Sequence, residues 1–247
     1  MENKLPKIAI IGYGTMGKEL ESLALEKGYQ ITNIFEIDNP LSKATDLNFD
    51  VAIDFSVSSS VIENITILAE NKKNIVIGTT GWYDKFEEVR NIIDKHNIGA
   101  VWGSNFSVGT QLYLNIIQHL ALLIKRIDTF DIGIEEIHHK HKQDFPSGTS
   151  INIAKTFLKE LFRYDSYTTN PEEAIHNTKK IPISSLRTGE IVGIHKVILD
   201  SEFETIELSH IAKNRRGFAV GALEAAHWIY NRTGFYGFEE VISTYWT

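Results

Sequence analysis

The chain has no cysteine, which excludes disulfides, thiolate metal sites and a cysteine nucleophile together. It also lacks a long apolar run. The stretch Ile8–Ile11 is broken at once by Gly12 and Gly14, too short for a secretory core and far too short to span a bilayer, so a cytoplasmic protein is expected. Basic charge is not in excess. A formal net charge of −7 gives no bulk attraction for nucleic acid or an acidic membrane, so any affinity for anions must be local. Internal repeats and low-complexity tracts are absent too. What is there, 43% hydrophobic and 23% charged residues, is the balance of a globular chain rather than a disordered one. Its 247 residues suffice for one large domain or two modest ones.

The first hundred residues alternate short apolar runs with helical patterns, the signature of a parallel sheet covered by helices. Strands are expected at Lys7–Gly12, Tyr29–Phe35, Val51–Phe55, Ile75–Gly78 and Gly99–Gly103, with helices at Met16–Lys27, Ser59–Lys72 and Trp82–His96. Runs such as Ile-Ala-Ile-Ile are continuously apolar, as strands buried on both faces require. From Ser104 the rhythm changes. An apolar helix over about Gly109–Arg126 leads to a strand, Phe130–His138, then a helix, Ser147–Arg163. The polar stretch Tyr164–Lys180 reads as a surface loop. Ile183–Arg187, Ile191–Leu199 and Glu204–Ile211 read as strands, the first two joined as a hairpin at Thr188-Gly189. A last amphipathic helix, Gly217–Tyr230, is expected to return to the first domain, whose sheet needs cover on both faces. The expected fold is α/β: a Rossmann-type parallel-sheet domain, residues 1–105 and 217–247, plus a second α+β domain with an open mixed sheet, residues 106–216.

Gly12-Tyr13-Gly14-Thr15-Met16-Gly17 has the G-x-G-x-x-G spacing between a strand and a helix. Its glycines allow a tight turn, close approach of a pyrophosphate, and packing of helix on strand. Glu36 follows at the end of the second strand, where an acid accepts hydrogen bonds from ribose hydroxyls. That carboxylate disfavours a 2′-phosphate, and Ile37 and Asp38 supply no arginine to receive one. NADH is therefore the preferred cofactor and NADPH the second choice, with Lys18 or Lys43 as cations that could reach in from elsewhere. Gly78-Thr79-Thr80-Gly81 and Gly103-Ser104-Asn105-Phe106 follow strands of the same sheet and are expected to line the nicotinamide side.

The segment Glu136-Ile-His-His-Lys-His-Lys-Gln-Asp-Phe-Pro-Ser-Gly-Thr149 concentrates five protonatable groups, His138 to Lys142, before a turn that opens a helix. Backbone N–H groups at a helix N-terminus, beside histidine and lysine, suit a carboxylate-bearing molecule. If the strand stays extended, His138, Lys140 and Lys142 share one side and His139 and His141 the other. A His-x-His metal pair competes with this reading, but no third ligand stands in clear register, so no metal is expected. The bland alternative is a solvated basic loop. Ser147-Gly148-Thr149 tips the balance by offering a fixed anion seat within a few residues of the proton donors.

These residues, with Ile11–Gly17, Asp54-Phe-Ser56, Asn105–Gly109, Leu186-Arg-Thr-Gly-Glu-Ile-Val-Gly193 and Phe218–Trp228 in the same order, resemble the dihydrodipicolinate reductase family over nearly the whole chain. The resemblance implies that His138 and Lys142 carry the proton-transfer chemistry. His139, Gly148, Thr149 and Arg215 would bind the substrate, and the cofactor contacts would fall on the glycine turn, Glu36, Gly78–Thr80 and Ser104–Phe106. It further implies a homotetramer assembled through the sheet of the second domain. Four departures stand out. Phe145 and Ser150 replace alanines common in the family, and the glycine turn is one residue shorter than in many members. Ile37 stands where members that use NADPH readily have arginine.

The expected function is NAD(P)H-dependent reduction of a small cyclic dicarboxylate in the diaminopimelate and lysine route. An aspartate- or homoserine-type dehydrogenase would lack the paired histidines followed by Ser-Gly-Thr. A non-catalytic NADH sensor would carry a DNA-binding or interaction element, and neither a basic recognition helix nor an extra domain is present in the sequence.

Overall fold

The computed structural model describes residues 4–42 and 46–245, so Lys43 lies outside the described residues. In chain order the elements are β1 (Ile8–Ile11), α1 (Thr15–Glu26), β2 (Ile31–Phe35), β3 (Val51–Asp54), α2 (Val61–Glu70), β4 (Asn74–Ile77), α3 (Phe86–His96) and β5 (Gly99–Trp102). Then come α4 (Val108–Leu123), β6 (Asp131–His138), α5 (Gly148–Glu160), β7 (Ser166–Thr168), α6 (Pro171–His176), β8 (Lys180–Arg187), β9 (Gly193–Asp200) and β10 (Thr205–Ala212). The chain closes with α7 (Arg216–Ile229), β11 (Gly234–Gly237) and α8 (Phe238–Ser243). Two compact units result: Met1–Val108 with Arg215–Thr247, and Gly109–Asn214.

The first unit is a six-stranded parallel sheet in the order β11-β5-β4-β3-β1-β2. Alternate side chains feed two separate cores. Ile8 and Ile10 pack with α1, α7 and α8, while Ala9 and Ile11 pack with α2 and α3. Double burial explains why these strands are apolar at every position, each buried isoleucine contributing about 1.5–3 kcal/mol. The C-terminal helix α7 covers this sheet through Ala219, Ala222, Leu223, Ala226 and Ile229. Gly221 lets it press close, since a Cβ there would overlap the Phe106 carbonyl. The strand β11 and helix α8 that follow carry no clear sequence pattern and were not expected.

The second unit is a five-stranded mixed sheet, β10-β9-β6-β8-β7, covered by α4 and α5. β6 runs antiparallel to β9 and parallel to β8. This corrects the expected hairpin. β6 lies between β8 and β9, so Thr188-Gly189 starts a crossover past β6 instead of a tight turn between neighbours. The stretch 164–180 is likewise structured, holding β7 and α6, the latter started by Asn170 capping and Pro171 in its first turn. Along β6 the inward positions are Ile132, Ile134, Glu136 and His138, so the buried stripe changes from apolar to charged at the end of the strand.

Candidate active site

In the first unit the glycine turn joins β1 to α1. Gly12 has φ +88°, and a Cβ there would fall on the Phe55 carbonyl, while a Cβ at Gly17 would fall on Gly12 itself. At Gly14, the residue preceding the helix, an added Cβ would meet nothing within 4 Å. The α1 N-terminus therefore faces open space with no acidic residue in its first turn, as a pyrophosphate requires. A cavity of about 550 Å³ runs from this turn past Glu36 to Ser56 and Asn64. Glu36 is exposed at the end of β2 and Ile37 stands almost wholly in solvent. The Tyr13 hydroxyl donates to Glu21, and Lys18 lies 5.8 Å from the Tyr13 ring centroid. These residues fit a dinucleotide.

The other expected cofactor residues divide by orientation. Met16 and Asn105 are half-buried, and Asn105 accepts from the Ser107 amide. Thr15, Thr80 and Ser104 are exposed. Gly103 is buried, and Gly78 has no room for a side chain against the Phe55 ring. Thr79 turns inward, its hydroxyl donating to the buried Asp54 carboxylate at 2.8 Å, which also accepts from the Ser56 amide and Asn64. Phe106 packs in the core against Phe55 and Phe238, so only its backbone faces the loop.

In the second unit the register of β6, β8 and β9 brings one cluster to the C-terminal end of β6. Glu136 pairs with His195 across β9, and His138 pairs with Arg187 across β8. The Glu136 carboxylate is fully buried and accepts from Arg187 Nη2 at 2.8 Å, the Ser147 amide at 3.1 Å and Ser150 Oγ at 2.7 Å. Burial alone would raise its pKa, but the donors from Ser147, Ser150 and Arg187 win and hold it at about 2. His138 lies edge-on to His195 with ring centroids 5.0 Å apart. Burial, reinforced by Lys142 and Arg187 against the opposing Glu136, drops His138 to about 4. Burial and then the His138 neighbour drop His195 to about 3. Both imidazoles are therefore neutral near pH 7. Gly193 makes room for the His138 ring, because a Cβ there would sit 3.1 Å from His138 Nε2.

The extended alternation expected for His138–Lys142 ends at His138. Lys142 N–H donates to the His139 carbonyl in a turn that carries Lys140 and His141 out to solvent, where each approaches Glu190. Lys142 is half-buried and pairs with Asp144 at 2.7 Å. Burial works against the Asp144 carboxylate, yet Lys142 and the Gly148 amide together hold its pKa below the usual range. Ser147 caps α5, leaving Gly148 exposed and Thr149 half-buried in its first turn. The structure thus gathers His138, His139, Lys142, Gly148 and Thr149 in one unit. Arg215 is exposed and opens α7, in the other unit.

Four contributors escaped the sequence reading: Glu136 as a hub, Arg187, His195 and Gly193. One signal was available. An acid in phase with Ile132 and Ile134 must be buried, and a buried acid demands a cation. Glu136, His138 and His195 also offer three ligand atoms within 4.8 Å, the arrangement of a metal site. The guanidinium already seated on Glu136 supplies the counter-charge there, and a dication beside it would be repelled.

A Rossmann-type unit with an open glycine turn, joined to a mixed-sheet unit bearing a histidine–lysine corner, defines a nucleotide-dependent oxidoreductase. Family models for the N-terminus and C-terminus of dihydrodipicolinate reductase match residues 6–106 and 109–242. The 4-hydroxy-tetrahydrodipicolinate reductase of Christiangramia forsetii is 35% identical over 238 residues, 96% of this chain and 97% of that one. That of Methanocaldococcus jannaschii is 30% identical over 271 residues, 96% and 97%. The dipicolinate-bound dihydrodipicolinate reductase from Paenisporosarcina sp. TG-14 shares the fold, with TM-score 0.73, 22% identity and coverage of 96% and 99%. The chain belongs to the dihydrodipicolinate reductase family.

Proposed function

We propose that the chain reduces 4-hydroxy-tetrahydrodipicolinate to tetrahydrodipicolinate in the diaminopimelate and lysine route, with NADH preferred over NADPH. The observation that carries the site assignment is Asp144. The chain's own carboxylate pairs with Lys142, assigned to proton transfer, at 2.7 Å and is also stabilised by the amide of Gly148, assigned to the substrate. A corner that holds an internal carboxylate is built to exchange it for an incoming one.

The Gly12–Gly17 turn, Glu36 and the loops at Gly78–Thr80 and Gly103–Phe106 hold the dinucleotide. When bound, the dihydronicotinamide supplies a hydride to the unsaturated ring. Gly148, Thr149 and His139 seat one substrate carboxylate, with Arg215 a further substrate contact. His138 and Lys142 deliver the proton that must arrive as the ring gains electron density. His138 is neutral while the site holds no guest. A doubly negative guest favours the imidazolium, so binding itself loads the donor with a proton.

The NADH preference rests on the Glu36 carboxylate and on the exposed Ile37, which gives a 2′-phosphate nothing to bind. Assembly as a homotetramer is supported by an apolar row across the sheet face opposite Glu136. Leu186, Ile137, Ile194 and Ile211 lie side by side there, and Leu186 and Ile211 are exposed. No helix among the described residues is long and apolar enough to cross a membrane. The test is oxidation of NADH and of NADPH with the cyclic dicarboxylate. We expect turnover with both and a higher kcat/KM with NADH; an NADPH preference above about tenfold would overturn the reading of Glu36 and Ile37.

A further inference from the structure

We propose that Glu136 and Arg187 act as a positioning pair that locks the proton donor, the lysine and the carboxylate seat into one unit, with neither residue touching the substrate. The inference rests on the proposed function only for the roles of His138, Lys142, Gly148 and Thr149.

Each part of the site is tied to this pair by a short path. The Glu136 carboxylate takes the Ser147 amide, fixing the start of α5 and therefore Gly148 and Thr149. Ser147 Oγ lies 3.2 Å from His195 Nε2, and His195 forms the wall against which His138 rests. His138 Nδ1 lies 3.8 Å from Glu136 Oε2. Arg187 Nη2 donates to Glu136 and, at 2.6 Å, to the Asp144 carbonyl, and the side chain of that same residue holds Lys142. The Phe145 ring covers the guanidinium, 5.2 Å from ring centroid to Cζ. A buried ion pair is weak evidence for stability, because desolvation offsets the attraction. A network that connects three strands and a helix start at the reacting corner instead meets the demand for pre-organisation. Nη2 alone reaches both the carboxylate and the loop carbonyl while Nη1 donates to the Leu186 carbonyl at 3.0 Å, so the guanidinium plane is fixed as an ammonium would not be.

The groups facing His138 are Glu136 on its own strand, Lys142 and Asp144 from the loop, Arg187 from β8 and His195 from β9. Glu136 is the nearer of the two anions among them. Removing its charge in Glu136→Gln therefore makes a proton on His138 harder to hold. The limb of the kcat/KM profile that falls as His138 loses its proton should then move to lower pH.

The experiment compares wild type, Arg187→Lys, Glu136→Gln and the double variant Glu136→Gln/Arg187→Met. Turnover, binding of pyridine-2,6-dicarboxylate, NADH affinity, thermal stability and the His138 ring resonance would be measured for each. Arg187→Lys should lose about 10²-fold in kcat/KM for the dicarboxylate with NADH affinity unchanged. The double variant should fold as stably as wild type, having no unpaired buried charge, and still lack the activity. Recovery of both stability and activity would overturn the proposal, as would wild-type kcat, KM and pH profile in Arg187→Lys. An inactive wild type would instead defeat the proposed function. The pairing would then be judged on the NMR titration of His138, which must shift in Glu136→Gln and which an unmoved resonance would contradict.

Discussion

Glu136 has no solvent contact and stays ionised because three donors surround it, while His138 and His195 beside it stay neutral because they are buried. These opposite states make the second unit sensitive to acid. Between pH 6.5 and about 4 an unfolded His138 takes up a proton that the folded one refuses, and His195 extends this range to about 3. Below its ordinary value of 4.5 the Glu136 contribution is lost in turn, as pH falls toward about 2. All three act in one direction, so the midpoint of thermal unfolding should fall steadily from pH 7 to pH 4. The fall should be shallower in His195→Asn, and an identical slope would show that His195 titrates normally. His138, Lys142 and the Ser-Gly-Thr turn were legible in the sequence because they are consecutive. Arg187 was not, because it reaches Glu136 from 51 residues away through a strand pairing that no local pattern announces. Phe145 and Ser150, which stand where alanines are common in the family, both join this network: one covers Arg187 and the other donates to Glu136.

At the scale of elements, hydrophobic period settled most of the first unit. Strands buried on both faces, and helices with one apolar stripe, leave strong patterns. Strand neighbours do not. β8 and β9 follow each other in sequence but are separated by β6, and the choice depends on which pairing buries Ile183 and Val197 with Ile134. The segment holding β7 and α6 was read as a loop because its polar residues give no period; its helix is started by a cap rather than by an apolar face. The glycine turn gives a prediction at this scale. Gly12→Ala must hold φ +88° with a methyl on the Phe55 carbonyl, at a cost of about 1–3 kcal/mol in the first unit. Gly148→Ala meets nothing within 4 Å and should leave stability close to wild type. Chemical denaturation of the two variants checks the contrast; equal stabilities would mean that the turn is not strained as described.

For the whole molecule, the division into two units implies a division of labour that substitutions can separate. The chain leaves the first unit after β5 and re-enters it at α7, so each unit keeps its own core. Thr149→Ala should therefore raise KM for the dicarboxylate by about tenfold or more while leaving the NADH dissociation constant unchanged. Calorimetric titration with NADH beside steady-state kinetics separates the two effects. A parallel loss of both would mean that the substitution disturbs the fold and not the seat.

The central claim is that His138, buried at the end of β6 against His195, passes the proton that completes the reduction. The most direct measurement is the single-turnover rate of NADH oxidation with 4-hydroxy-tetrahydrodipicolinate in wild type and in His138→Gln. The account predicts a fall of about 10²–10⁴-fold in the rate at saturating substrate, with little change in binding of either ligand. A His138→Gln enzyme that turns over at the wild-type rate would contradict it.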